Sequence, residues 1–480
     1  MKLSNERNTK FYKPMFSTST YIQRRRELAA KVGSGIVLLL GNDESPMNYA
    51  DNAYHFRQDS TFLYYFGIDF PGLAALINID SGQEILFGDD YTIDDIVWMG
   101  PQPTMVERAS EAGISKVLPS AALSGLLTQA MQRSVPIHFL PPYRPEHLLK
   151  LQALLRLHTD TILPKVSVEL IRAVVSQREI KSGEELAEID RAVDLTVDMH
   201  VAAMRMARPG MTEAQVAARV YEIARAANSE VSFPIIATIN GQTLHNHYHG
   251  NVLKSGDLFL LDAGAELPSR YAGDLSSTFP VDPVFTPQQK LIYEMSLEAH
   301  QAAIDALAPG VAFREVHLAA CRSITDNMKS LGMLKGATEE IIAAGAHALF
   351  LPCGTGHMMG LDVHDMENLG EVWVGYDGEP KSTQFGLKSL RFAKSLRPGH
   401  VFTIEPGIYF IPELIDKWRA EKQHQEFINW DEVNKFRAFG GIRNEEDYCM
   451  TAEGPRRLGT KVKPKTVVEI ESEKNLNMEC

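Results

Sequence analysis

Cysteine is scarce: four residues, Cys321, Cys353, Cys449 and Cys480, stand far apart with no paired spacing in a chain of 480. That excludes a disulfide framework and a thiolate zinc pattern, and it fits a reducing compartment. Cys353, although near His357, reads as a small buried residue. Long apolar runs are also missing. The longest, such as Ile36 to Leu40, are far too short for a bilayer, and the start Met1-Lys2-Leu3-Ser4-Asn5-Glu6-Arg7 lacks a signal-peptide core. The expectation is a cytoplasmic protein with no membrane partner. Positive charge is in deficit, with 48 Lys and Arg against 61 Asp and Glu for a net charge of -13, which argues against nucleic acid. Several catalytic signatures are absent: no Walker-type lysine loop, no paired-histidine metalloprotease helix and no nucleophile-elbow serine. Gly354-Thr355-Gly356-His357-Met358-Met359-Gly360 has the wrong last spacing for a dinucleotide fingerprint.

What is present describes an ordinary globular chain, 44% hydrophobic with mean hydropathy -0.16, and its length predicts two domains. In the first third, Tyr21 to Val32 reads as a helix with Arg24, Arg25 and Arg26 on a solvated face. Strands are expected at Gly35–Gly41, Phe62–Gly67, Ala74–Ile79 and Glu84–Phe87, with helices near Met105 to Ala112 and Leu123 to Arg133. This is a small α/β domain with no catalytic spacing. A boundary near Val175 gives domains 1–175 and 176–480. Beyond it, Ser182-Gly183-Glu184-Glu185 and Thr212-Glu213-Ala214-Gln215 are capping boxes, and Thr286-Pro287-Gln288-Gln289 starts a third helix. Pro209-Gly210 and Pro309-Gly310 hold equivalent places in two helix–helix–strand arrays, the second helix after Pro309-Gly310 being read as short. Two related halves around one site are the inference.

The chemistry gathers around Leu260-Leu261-Asp262-Ala263-Gly264 and Gly273-Asp274-Leu275, which place two carboxylates on adjacent strands. Asp262, Asp274, Glu405 and Glu445 together would carry four negative charges, each close pair repelling by roughly 4 kcal/mol at an effective dielectric near 20. Proteins relieve such a cluster by protonation or by metal. Oxygen donors plus one imidazole, His357, suit manganese, cobalt, iron or zinc. Two such ions roughly 3.5–4 Å apart activate a bridging water, which points to metal-assisted hydrolysis. His364 would face away from His357 in an ideal strand, so a turn must lie between them. His245, His247 and His249 fall on one face of a short strand, with one expected to point into the site.

The ordered set Asp262, Asp274, His357, Glu405 and Glu445, with Leu361-Asp362-Val363-His364-Asp365, Glu405-Pro406-Gly407-Ile408-Tyr409 and Gly440-Gly441-Ile442-Arg443, resembles the "pita-bread" metallopeptidases. That family includes aminopeptidase P, prolidase and methionine aminopeptidase, and the resemblance runs from about Tyr21 to about Glu469, Phe56-Arg57-Gln58-Asp59-Ser60 included. It implies an α/β (α+β) fold: a pita-bread catalytic domain of two pseudo-symmetric halves behind a smaller α/β N-terminal domain. It also implies two divalent metals, usually manganese, and a homodimer. Asp262 would chelate one ion, His357 and Glu405 the other, and Asp274 and Glu445 would bridge them. Glu405 would be the general base toward the metal-bridging hydroxide. His245 and His364 would hold substrate and stabilise the oxyanion or shuttle protons, and Arg443 would line the pocket.

The methionine enzymes normally lack a domain like residues 1–175. Gly386-Leu387-Lys388-Ser389-Leu390-Arg391 and the insertion after Tyr409 resemble the prolidase branch, in which the arginine matching Arg391 binds a dipeptide's free carboxylate, a task suited to a guanidinium fork. The expected activity is therefore an Xaa-Pro dipeptidase acting on small proline-containing peptides. The alternatives are an Xaa-Pro aminopeptidase on longer peptides and a non-catalytic binding module of the same fold. Ser276-Ser277 and Asn444 depart from the family pattern, where they would tune metal affinity.

Overall fold

The computed structural model describes residues 15–476, so the N-terminal string and Cys480 lie outside the described residues. Two compact units divide the chain. One runs to Arg178 and includes Asn368–Gly370; the other holds Glu179–Glu367 and the chain from Glu371 onward. Among the described residues no helix is long and apolar enough to cross a membrane.

In the first unit, strands β1 (Ile36–Leu40), β2 (Ala74–Asn78), β3 (Gln83–Phe87), β4 (Val117–Leu118) and β5 (Ile137–His138) form one sheet in the order β4-β3-β2-β1-β5. The β1–β2 and β2–β3 pairs are antiparallel, while the outer pairs are parallel. Alternate residues Ile36, Leu38, Leu76, Ile85 and Phe87 meet Leu123 and Leu127 of one helix and Leu151 and Leu155 of another, the period-two pattern of a sheet face covered by helices.

Two expectations fail here. Phe62–Gly67 is not a strand: Ser60–Phe66 is a helix, because Asp59 accepts the Phe62 N–H at 2.8 Å and Gly67 closes it at φ 64°. Nor do the arginines form a solvated face. Arg24 and Arg25 are buried and donate to the carbonyls of Tyr64 and Tyr65, and Arg25 also pairs with Glu84. Those carbonyls cap the C-terminal end of the short helix, which draws cations inward.

In the second unit, the first half carries β6 (Glu230–Val231), β7 (Ile236–Thr238), β8 (Leu258–Ala263), β9 (Ala265–Glu266) and β10 (Leu275–Pro280). Strand β8 pairs antiparallel with both β7 and β10, and β6 makes a short ladder with β9. The second half carries β11 (Val401–Ile404), β12 (Gly407–Tyr409), β13 (Gly441–Arg443), β14 (Glu446–Met450) and β15 (Pro455–Arg457), with β14 between β11 and β15.

The halves repeat each other closely. Helices Gly183–Met206 and Glu213–Ala226 answer to Pro287–Asp305 and Phe313–Ser330. The Gly210 N–H reaches the Leu253 carbonyl at 2.9 Å and the Gly310 N–H the Leu396 carbonyl at 2.8 Å, both glycines at positive φ. Buried His200 and His300 also sit one hundred positions apart on the two long helices. Both expected capping boxes form, at Ser182 and Thr212, and the helix start expected at Thr286 carries a third. The helix after Pro309-Gly310 is not short, however. It spans 18 residues without a side-chain cap, because its buried stripe through Val316, Ala320 and Ile324 carries it.

Candidate active site

Backbone pairing delivers the acidic residues. Asp262 lies near the end of β8 opposite Ser276, and Asp274 immediately precedes β10, so the hairpin sets the two carboxylates side by side. Glu405 follows β11, and Glu445 lies between β13 and β14. Residues Thr355–Met358 run alongside β11, with Thr403 N–H to the His357 carbonyl at 3.0 Å and Glu405 N–H to the Thr355 carbonyl at 2.8 Å. Gly356 permits that approach, since a Cβ there would lie 2.1 Å from the Thr403 carbonyl oxygen. Gly264 does the same between the end of β8 and the segment leading into β10, where a Cβ would meet the Gly273 oxygen at 1.9 Å.

Asp274, His357 and Glu445 each offer one donor atom within 4.8 Å of the others. His357 Nε2 stands 3.3 Å from Asp274 Oδ2 and 3.7 Å from Glu405 Oε1. Burial, then the neighbouring carboxylates, push Asp274 and Glu445 well above the ordinary carboxyl range, and burial raises Glu405. One oxygen of buried Asp262 has no hydrogen-bond partner. Arg443, on β13, reaches the other at 2.5 Å and also touches Ser276 and Tyr409. A single guanidinium does not balance four carboxylates. An orphaned carboxylate oxygen and a cluster of oxygen donors around one imidazole fit divalent metal.

The same carboxylates line a cavity of about 530 Å³ with His245, His247, His364, Arg391, Arg443 and Cys353. The expected turn lies between the histidines and brings the rings of His357 and His364 to 4.0 Å. His364 Nδ1 meets Glu367 at 2.5 Å, and Arg391 pairs with the same Glu367 and with Glu371. Burial and the adjacent His357 hold His364 at about 4, while contact with His364 brings Glu367 down to about 2 against the effect of its burial.

His245–His249 does not form the expected strand. The segment is an irregular loop, so His245 and His247 both reach the cavity while His249 bonds the Ile235 carbonyl. Asn246 and Gly250 break the alternation there. Cys353 is half-buried on the cavity wall rather than in the core.

Ser276, expected to tune the site, donates to Glu445 at 2.8 Å; Asp447 and Glu367 escaped the sequence reading, and Asp447 accepts the Asp274 N–H at 3.1 Å. The alternation Asp274, Ser276, Thr278 on one strand face signals Ser276; nothing local signals Asp447 or Glu367. Asn444 points away, between Tyr293 and Ser296, and Ser277 faces His200.

A model of metallopeptidase family M24 matches residues 187–452, and one of the aminopeptidase P N-terminal domain matches residues 21–138. The Xaa-Pro dipeptidase of Homo sapiens is 30% identical over 469 residues, covering 93% of this chain and 90% of that protein. A probable Xaa-Pro aminopeptidase of Metarhizium acridum is 28% identical over 89% of this chain and 88% of its own. Among solved structures, the Pseudomonas aeruginosa aminopeptidase PepP matches with a TM-score of 0.80 at 27% identity, covering 97% of this chain and 99% of that one.

Proposed function

The chain belongs to metallopeptidase family M24 and is a metal-dependent Xaa-Pro peptidase, and from that premise we propose that it is a dipeptidase. The observation that carries the finer reading is Arg391, whose guanidinium lines the cavity that also holds the carboxylate cluster. It pairs there through one nitrogen with Glu367 and Glu371, and a substrate's terminal carboxylate would engage the guanidinium fork in their place. The Xaa-Pro aminopeptidase is the second reading, supported by the relatives that bear that name.

In this assignment Asp262, Asp274, His357, Glu405 and Glu445 hold two divalent ions, with manganese favoured by the oxygen-rich set. Bound there, the ions would supply Lewis acidity and a water acidified toward neutral pH. Glu405 would be the general base, taking a proton from the attacking water. The proton passes to the proline nitrogen, which carries no hydrogen in the peptide and leaves as an amine only once protonated. Glu367 is ionised and can only accept, so His364 donates through Nδ1 and keeps Nε2 as an acceptor that relays protons. The oxyanion contact therefore falls to His245, kept neutral by burial and by Arg443. Phe233, Ile236, Leu244 and Val363 supply apolar wall for the ring. A dimer and a cytoplasmic setting complete this reading, on the family resemblance and the cysteine usage.

The test is Arg391→Ala. A hydrogen bond to a charged group contributes about 1.5–3 kcal/mol, so kcat/KM for Xaa-Pro dipeptides should fall roughly ten- to hundredfold while tripeptides with proline second change little. Equal losses on both would remove the carboxylate role.

A further inference from the structure

A second group of metal-type donors lies behind the loop that carries His357. His317 and Cys321 stand one helical turn apart on Phe313–Ser330, and His347 comes from the turn Ala346–Leu349. All three are buried, and one donor atom of each lies within 4.8 Å of the others. Cys321 Sγ is 3.4 Å from His317 Nε2. For bonds of about 2.3 Å to sulfur and about 2.05 Å to nitrogen, ligands stand about 3.6–3.8 Å apart at tetrahedral to trigonal angles, so this pair lies within a few tenths of an ångström of ligand spacing. A thiol–imidazole hydrogen bond accounts for those two residues but not for His347. That ring is 1% exposed and neither of its nitrogens makes a hydrogen bond of normal geometry, a costly position for a polar group inside an apolar core.

We propose that His317 Nε2, Cys321 Sγ and His347 form a second metal site, for one thiophilic ion, with monovalent copper the best match. The charge count selects the ion. Two neutral imidazoles and one thiolate carry a single negative charge, which a monocation cancels and a dication overshoots, leaving net charge buried among apolar side chains. Burial keeps His317 at about 3 and His347 at about 4, so both rings are neutral, and the same burial pushes the Cys321 thiol up, so its proton must be displaced by the metal itself; the Ile341 carbonyl offsets only part of the fall at His347. His317 Nδ1 meets Thr355 Oγ1 at 2.7 Å, the outer hydrogen bond that fixes which nitrogen faces the metal. On binding, the Cys321 S–H bond breaks, its proton leaves to solvent and a sulfur–metal bond forms, with no change of oxidation state. Thr355 also takes the Glu405 N–H on its carbonyl, so the site would brace the strip that carries His357. It does not depend on the peptidase assignment, because that centre contains no sulfur ligand.

The test uses the full chain, metal-stripped, reduced and free of oxygen, titrated with Cu⁺ against bicinchoninate. The wild type should withdraw one equivalent per chain. Cys321→Ser and His347→Gln should each weaken retention by more than roughly a hundredfold, since even outer partners cost 10–100-fold. Cu⁺ should raise the Tm of the wild type and of Asp274→Asn, but not that of the nearly isosteric Cys321→Ser. Failure of the wild type to compete with the chelator, or undiminished retention by Cys321→Ser, overturns the proposal.

Discussion

Glu445 occupies a pocket in which burial, Asp274 and Glu405 all favour its neutral form. A carboxyl whose folded pKa lies above its unfolded value binds the proton more tightly in the folded chain. Its stabilisation is complete below the unfolded value and is lost as pH rises through the folded one. Metal-stripped protein should therefore lose stability from mildly acidic to neutral pH. Glu445→Gln should raise the metal-free Tm at pH 8 by about 2 °C or more, a gain that fades toward pH 4 and reverses when Mn²⁺ is present. Thermal melts across that range check it. At this scale the sequence pointed to Asp274, His357 and Glu445, which lie together; each alone reads as a turn or cap residue, and only the ordered set suggested a shared site. Glu367 and Asp447 were not legible. One acts on a histidine and an arginine, the other on a backbone amide 173 positions away, and neither contact leaves a periodic trace.

Strands β8 and β11 reach the centre because glycines beside them let another backbone approach. Gly356→Ala would drive a methyl into the Thr403 carbonyl, and a rigid backbone neighbour cannot yield as a side-chain tip would. The expected result is a loss of about 1–3 kcal/mol with a lower bound-metal count per chain; denaturant melts and metal analysis measure both. Gly125→Ala, in the first unit with nothing within 4 Å of the added Cβ, is the comparison. Element types were readable where caps and period agreed, as at Ser182, Thr212 and Thr286. They were misread where they disagreed. Phe62 to Phe66 is an aromatic run with strand composition, yet Asp59 and Gly67 satisfy the ends of a helix, and terminal hydrogen bonding outweighed the weak β preference.

At the scale of the whole catalytic unit, the repeat of helices and Pro-Gly turns was visible in sequence because a turn glycine and a capping box are local devices. The pairing of β8 with both β7 and β10, and of β14 with β11 and β15, was not, since register is settled by packing between distant segments. The two halves share one centre: Asp262 and Asp274 come from the first, His357, Glu405 and Glu445 from the second.

That sharing has a kinetic meaning. Asp262 and Glu445 are separated by 183 positions, so the centre exists only after a long chain closure, and slow, non-local steps come late in folding. Ion uptake then serves as a clock for the last assembly event. In stopped-flow refolding, far-ultraviolet ellipticity should recover first and Mn²⁺ capture should lag behind it. Simultaneous recovery of both signals would mean that the halves dock before their own strands are complete.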